Sequence, residues 1–213
     1  MNQKFSDSID GCYSIGFKIK WPERGDKPNL VLDLIIAHRI ISPRIADNKD
    51  VIRLWRFHRS ANRDNALHLF TFEFCSTKET AGRIMKSIES DPLLRDMKNR
   101  SYVISCTCER IEDFCGENWL PALKKSWPYF SMGVSQTWLH LIDEISREES
   151  GGREFSTPEE MLKLYKEVDE TIIQQYWFTE GCHIYLHHIN AIFGYGPILV
   201  DTFDMKRIIP GFK

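Results

Sequence analysis

The stretch VIRLWRFHRSANRDNALHLFTFEFCSTKETAGRIMKSIESDPLLRDMKNRSYVISCTC, residues 51–108, decides the fold. Residues 51–59 and 67–75 both alternate. Trp55 and Phe57 fall on one face of the first run, with Leu54, Arg56 and His58 on the other. In the second run Phe70, Phe72 and Phe74 make an apolar row, with Thr71 and Glu73 opposite. Successive side chains of a strand point to opposite faces, so each run is predicted to be a strand with one buried face. The polar residues 60–65 are turn-like. Ser76 and Glu79 then have the spacing of a capping box. Ala81, Ile84, Met85 and Ile88 recur on one side of a helix. Asp91-Pro92 closes that helix, because proline disfavours helical backbone in the residue before it. Residues 101–108 supply a third strand.

Outside this stretch, Tyr13, Ile15, Phe17, Ile19 and Trp21 alternate with Ser14, Gly16, Lys18 and Lys20, which predicts a half-buried strand. Asn29 can cap a helix over 30–41, ended before Pro43. Residues 30–36 are nearly all apolar and also fit a buried strand. With the helical reading the order becomes βαββαβ, and the expected fold class is α+β, a ferredoxin-like sandwich.

A boundary is expected near 113–118, dividing the chain into a sandwich (1–115) and a C-terminal α-helical extension (116–213) packed on it. Residues 120–126 form a short helix that Trp127-Pro128 breaks or kinks. Residues 132–147 resume as a helix, with Val134, Trp138, Leu141, Ile142 and Ile145 on one stripe. Thr157-Pro158-Glu159-Glu160 is a helix start with a cap, a proline in first position and a glutamate in third. That helix runs through Gly181 to about Phe193, where 194–197 stop it. Residues 198–203 are a candidate last strand and 206–213 a tail.

Composition excludes little. The 213 residues are 42% hydrophobic and 27% charged, with a formal charge of -2. Nothing in that balance draws the chain to nucleic acid or to an anionic membrane. No apolar run is long enough to span a bilayer, and the first residues lack a signal-peptide core. The chain is therefore expected in the cytoplasm, with its six cysteines as scattered thiols.

Motifs for chemistry are sparse. There is no nucleophile elbow, phosphate loop or dinucleotide fingerprint. A helix through 180–188 puts Glu180, His183 and His187 on one face, and the preceding long helix carries His140, Asp143 and Glu144. Antiparallel pairing could bring His140, Glu144, Glu180, His183 and His187 to one divalent metal, in the Glu-x-x-His style of helical bundles. Partly buried, hydrogen-bonded histidines are the plainer account. Cys106, Cys108 and Cys115 lack a zinc knuckle and fit small core residues better. Cys75, before a helix start, would be an activated thiol if exposed, but His68 is on the opposite strand face from it.

Arg53, Arg56, Arg59 and Arg63 form a basic cluster on the hairpin. Together with His58, His68, Trp138 and Tyr176, Arg56 and Arg59 are the candidate lining of a pocket for a small molecule or peptide. The aromatic groups Trp119, Trp127, Tyr129, Phe130 and Trp138, then Tyr176, Trp177 and Phe178, are core, or else a pocket or self-association surface between sheet and helices. Residues Trp55-Arg-Phe-His-Arg59, His68-Leu-Phe-Thr-Phe-Glu-Phe74 and the following helix resemble the strand pair in the C-terminal domain of lantibiotic dehydratases. Two function classes follow: a non-catalytic ligand-binding or self-assembling protein, expected as a homo-oligomer, or a small-molecule enzyme using the His/Glu cluster.

Overall fold

The computed structural model describes residues 10–22, 28–62, 67–116, 118–152, 155 and 157–193. Four strands, β1 (Gly11–Lys20), β2 (Leu54–Asn62), β3 (Leu67–Ser76) and β4 (Val103–Ile111), form one antiparallel sheet in the order β2-β3-β1-β4. Helix α1, residues 30–47, links β1 to β2. Helices α2 (Lys78–Glu89) and α3 (Pro92–Asn99) link β3 to β4. Helix α4 (Pro121–Ser150) and helix α5, residues 158–192, follow. The connectivity is βαββαβ with two long helices added after it.

The alternation read from sequence sets the register. Phe17 pairs with Phe70, Ile15 with Phe72 and Tyr13 with Phe74, while Trp55 lies across from Phe74 and Phe57 from Phe72. These rows make one apolar face. It is covered by Leu34, Ile36 and Ile40 of α1, Ile84 and Ile88 of α2, and Leu94 and Met97 of α3. Ile142 and Ile145 of α4 and Leu164 and Val168 of α5 belong to the same buried cluster. The region after residue 116 thus shares a core with the sheet. The opposite sheet face carries Ser14, Gly16, Lys18, Thr71, Glu73, Arg56 and His58, with Arg56 Nε 2.6 Å from Glu73 Oε2.

Several local expectations are corrected. Thr77, not Ser76, caps α2: its hydroxyl accepts from the Thr80 N–H at 3.2 Å, while Ser76 is buried and donates to the Thr77 carbonyl. Asp91 does more than end α2. Its carboxylate accepts from the Leu93 and Leu94 N–H groups, and with Pro92 in the first turn it starts α3, a helix the sequence reading missed.

Residues 30–36 are helical rather than extended, and α1 runs past Pro43. Its middle section, Ile36–Ile41, winds as a π-helix, so the Ser42 N–H bonds the Ala37 carbonyl five residues back. That register change falls just before the proline, whose missing N–H would interrupt an α-helical ladder.

Pro128 does not break α4 either. The carbonyl left without a partner by a proline is the one four residues back, here Lys124. The Cys115 thiol donates to that oxygen at 3.6 Å. The expected start of α5 is present in full: Thr157 and Glu160 form a reciprocal capping box. Helix α5 is α-helical over Pro158–Thr171, π-helical over Ile172–Gly181 and α-helical again over Cys182–Ile192. The expected stop at 194–197, strand at 198–203 and tail at 206–213 lie outside the described residues.

The cysteines are not all thiols. Cys12 and Cys75 face each other across β1 and β3, with Cα atoms 4.0 Å apart, and form a disulfide. The reading of Cys75 as an activated thiol is therefore overturned. Cys106 and Cys108 share one face of β4 as expected, but Cys108 is exposed and only Cys106 is half-buried, its thiol pushed up to about 11 by burial. No helix among the described residues is long and apolar enough to cross a membrane.

Candidate functional site

An acidic residue inside an apolar helical run must find partners, because an unpaired buried carboxylate costs several kcal/mol. Asp33 sits in such a run, Leu-Val-Leu-Asp-Leu-Ile-Ile, and is 0% exposed. Its partners come from the sheet. Arg59, on β2, bonds Asp33 through Nε. His68, on β3 and also 0% exposed, lies across the carboxylate, with Nε2 2.9 Å from Oδ1 and 3.1 Å from Oδ2. The angles favour Oδ2 as the acceptor. His68 Nδ1 has no hydrogen-bond partner among the described residues. The Arg59 guanidinium stands 5.6 Å from the centre of the Trp138 ring, contributed by α4.

A second polar group continues the seam. Asp169, one turn past Tyr165 on α5, is half-buried. Burial pushes its carboxyl up from the ordinary range; Arg59 opposes that and Asp33 adds to it. On the π-helical part of α1, His38 Nδ1 lies 2.7 Å from the Tyr165 hydroxyl and Nε2 3.3 Å from Asp143 Oδ1. Burial holds the His38 imidazole below its ordinary value, with Asp143 acting against it. Burial likewise pushes the Tyr165 phenol up. Asp143 is shared with Arg147. One polar seam therefore runs between α1, α4, α5 and the apolar face of the sheet, with Asp33 against Arg59 and His68 and Asp143 against His38 and Arg147.

Of the residues singled out in the sequence, Arg59, His68 and Trp138 come together here. Arg56 and His58 alternate onto the opposite sheet face, where Arg56 pairs with Glu73 and sits 5.4 Å over the Phe114 ring. Tyr176 is on the outer part of α5 and exposed. His140 is exposed on α4, and Glu144 pairs with Arg147 at 3.0 Å. His183 and His187 are exposed on α5 with ring centres 5.6 Å apart. The side chain of Glu180 lies outside the described residues, as does Arg63. Among the described residues no three of His, Cys, Asp or Glu group around one point, so His140 and Glu144 do not join His183 and His187 within one chain.

Asp33, His38, Tyr165 and Asp169 were not foreseen. For Asp33 a signal existed: a lone acid inside residues 30–36 is anomalous on a buried helix. The seam borders a small void. A cavity of about 10 Å³ beside it, among Leu32, Ile35, Met97 and Leu162, would hold about one water.

The other anomaly is at the surface. Beyond Ile172 no described residue of α5 is buried, yet Tyr176, Trp177, Phe178, Ile184, Tyr185, Ile192 and Phe193 follow. Leu120, Leu123, Tyr129, Phe130 and Val134 of α4 and its approach are exposed as well. A helix apolar on all sides is normally buried.

No family model matches the chain, and no curated protein matches it. Among solved structures it is similar to a de novo designed protein with a ferredoxin fold, at 19% identity and a TM-score of 0.29, over 52% of this chain and 93% of that one.

Proposed function

We propose that this chain is a non-catalytic, self-assembling protein: a ferredoxin-like sandwich that presents the outer half of α5 to a second copy of itself. The observation that carries the reading is the unburied apolar helix. Its seven large side chains expose on the order of 700 Å² if each presents about 200 Å² in full, close to the ~800 Å² per partner of a stable interface.

The chemistry of the helix selects the partner. Residues 172–193 hold one Glu and no Lys or Arg. Helices that lie on anionic membranes use a basic face, and nucleic acid requires cations. A nearly uncharged helix meets its own copy without like-charge repulsion, and two-fold homodimers are the commonest assemblies.

The interior seam fits the non-catalytic reading. Arg59 and His68 both engage Asp33, and Asp143 lies between His38 and Arg147. Its role is to fix how α1, α4 and α5 seat on the sheet.

Sedimentation velocity over a concentration series tests the proposal. Wild type should associate, and the double variant Trp177→Lys with Ile184→Lys should be monomeric with an unchanged Tm, because both residues are already exposed. A wild-type chain that stays monomeric at the highest soluble concentration would overturn it.

A further inference from the structure

Helix α4 is seated on the sheet from Ser131 onward. Ser131 and Ser135 are buried, and the Ser135 hydroxyl accepts from the Phe57 N–H at 2.9 Å. None of residues 121–130 is buried. Leu139, Ile142 and Ile145 of α4 share the core with Leu164 and Val168 of α5, and the short connection 151–157 makes the two helices antiparallel neighbours. The start of α4 and the end of α5 therefore leave the core at the same end of the hairpin.

The exposed start of α4 has an order. Leu123, Trp127, Phe130 and Val134 recur at intervals of four, three and four residues. Alternating intervals of three and four put side chains on one stripe of a helix. Such a stripe is built to receive another helix, whose side chains fill the gaps between its own. Trp127 is half-buried and packs on Phe130 with ring centres 5.4 Å apart, while Leu123, Phe130 and Val134 are exposed.

Charge selects which helix fits. Lys124 and Lys125 lie beside the stripe, and residues 119–134 hold no acid. Two such stripes face to face would bring their lysines together. Residues 172–193 hold no Lys or Arg, so the end of α5 meets no like charge there. Area argues the same way. A helix laid against one twin covers only the side that faces it, so the α5 end alone buries only part of its exposed surface. The α4 stripe, with Leu120 and Tyr129 beside it, exposes on the order of 550 Å² on the same basis, which carries each partner past the ~800 Å² of a stable interface.

We propose that the stripe of Leu123, Trp127, Phe130 and Val134 receives the exposed end of α5 from a second copy. Two-fold symmetry makes the contact twice, since each copy offers one stripe and one helix end. The inference rests on the self-assembly reading and deepens it by naming the surface that α5 meets.

The test uses full-length chains. One variant spoils the stripe, Leu123→Glu with Val134→Glu. The other spoils the helix end, Trp177→Lys with Ile184→Lys. All four positions are exposed, so both variants should keep the wild-type Tm. Each alone should sediment as a monomer, because every stripe-to-end contact contains one spoiled surface. Mixed in equal amounts they should associate, roughly tenfold or more above either alone. The mixed pair keeps one intact contact and sets acid against base in the other. A stripe variant that associates like wild type would overturn the role of α4 and leave self-assembly through α5 standing. A mixture no stronger than its components would overturn the pairing of stripe with helix end. A stripe variant with a markedly lowered Tm would show that its own chain covers the stripe, and would overturn the proposal. Wild type that remains monomeric would overturn both readings.

Discussion

Replacing Asp33 tests whether the buried seam holds the helices on the sheet. The carboxylate has two partners, and they respond differently to its loss. His68 is fully buried and cannot turn to water, whereas about a third of the Arg59 side chain is exposed and can. In Asp33→Asn the amide oxygen still accepts from His68 Nε2, and the lost Arg59 bond is softened by hydration. The cost should be about 1–2 kcal/mol. In Asp33→Ala both His68 nitrogens are left unpaired in the interior and a small void opens. The cost should rise to about 3–5 kcal/mol, a large part of the ~5–15 kcal/mol that holds a domain together.

The double variant Asp33→Leu with His68→Leu separates this account from simple loss of volume. Removing both buried partners and filling their space with hydrocarbon is often close to neutral, so most of the Asp33→Ala loss should be recovered. Urea unfolding followed by tryptophan fluorescence gives the three values, with constant m confirming that the unfolded state is unchanged. A cost under about 1 kcal/mol for Asp33→Ala, or a double variant less stable than Asp33→Ala, would refute the reasoning.

Asp169 holds its proton above the ordinary 3.8 because of burial. The folded state then binds more protons than the unfolded one as pH rises from about 4 to the raised value, and stability falls across that window. Asp169→Asn, which cannot ionise, should melt above wild type at pH 7, with the gap closing below about pH 4 in thermal scans. His38 has the opposite linkage: its folded value is lowered from 6.5, so stability is present at neutral pH and is lost as pH falls from about 6.5 through that lowered value. His38→Gln should flatten this part of the Tm–pH curve; an unchanged slope would place the acid sensitivity elsewhere. The disulfide closes a sequence separation of 63 residues, so Cys12→Ser with Cys75→Ser should lower unfolding free energy by about 2–4 kcal/mol in urea. Ile84→Asp should abolish cooperative melting while Lys86→Asp leaves Tm within a few degrees, since Ile84 is buried and Lys86 exposed; equal melting temperatures would show that the face is misassigned.

The sheet could be read before any coordinates because its signal is local. Phe70, Phe72 and Phe74 alternate, one face is apolar, and a slip of one residue would turn every ring to water. The helix termini were less accessible, since Ser76 and Thr77 are both able caps and only the backbone chooses between them. The prolines misled for a definite reason. Pro43 reads as a stop and Pro128 as a break or kink, but a proline stops a helix by stranding a carbonyl. Lys124 has the Cys115 thiol, and α1 changes to π winding. Neither remedy has a sequence signature. The disulfide was also hidden, because it depends on which strands become neighbours: Cys12 and Cys75 are paired by the β1–β3 register alone. Disulfides persist in oxidising compartments and are rare in the cytosol, so this pair weighs against the cytoplasmic expectation. Arg59, His68 and Trp138 converge, but their acidic partner comes from a helix whose polar member was overlooked. Arg56 and His58 were lost to the alternation that the same reading had already assigned.

The chain inverts the usual distribution of side chains in two places, and the inversions point the same way. Asp33, His68, Asp169 and His38 are charged or polar groups taken into the interior, where desolvation makes them poor sources of stability but strict about geometry. Trp177, Ile184, Tyr185 and Phe193 are apolar groups that stand exposed on α5. Evenly apolar helices can slide against one another, whereas Asp33 is held by directional bonds from Arg59 and His68. The seam therefore fixes the base of α5 through Tyr165 and Asp169, one turn before the π-helical section begins at Ile172. Gly181 closes that section, and a Cβ there would overlap the Tyr176 carbonyl oxygen. The wider winding thus requires glycine at this point. Rotation introduced between Ile172 and Gly181 determines which side of the last turns bears Ile184 and Tyr185. Gly181→Ala should leave the sandwich and its melting transition intact and alter only association, measured by sedimentation. If it instead lowers Tm as much as Asp33→Ala does, the outer helix is part of the core fold and the division between a fixed base and a partner-seeking end is wrong.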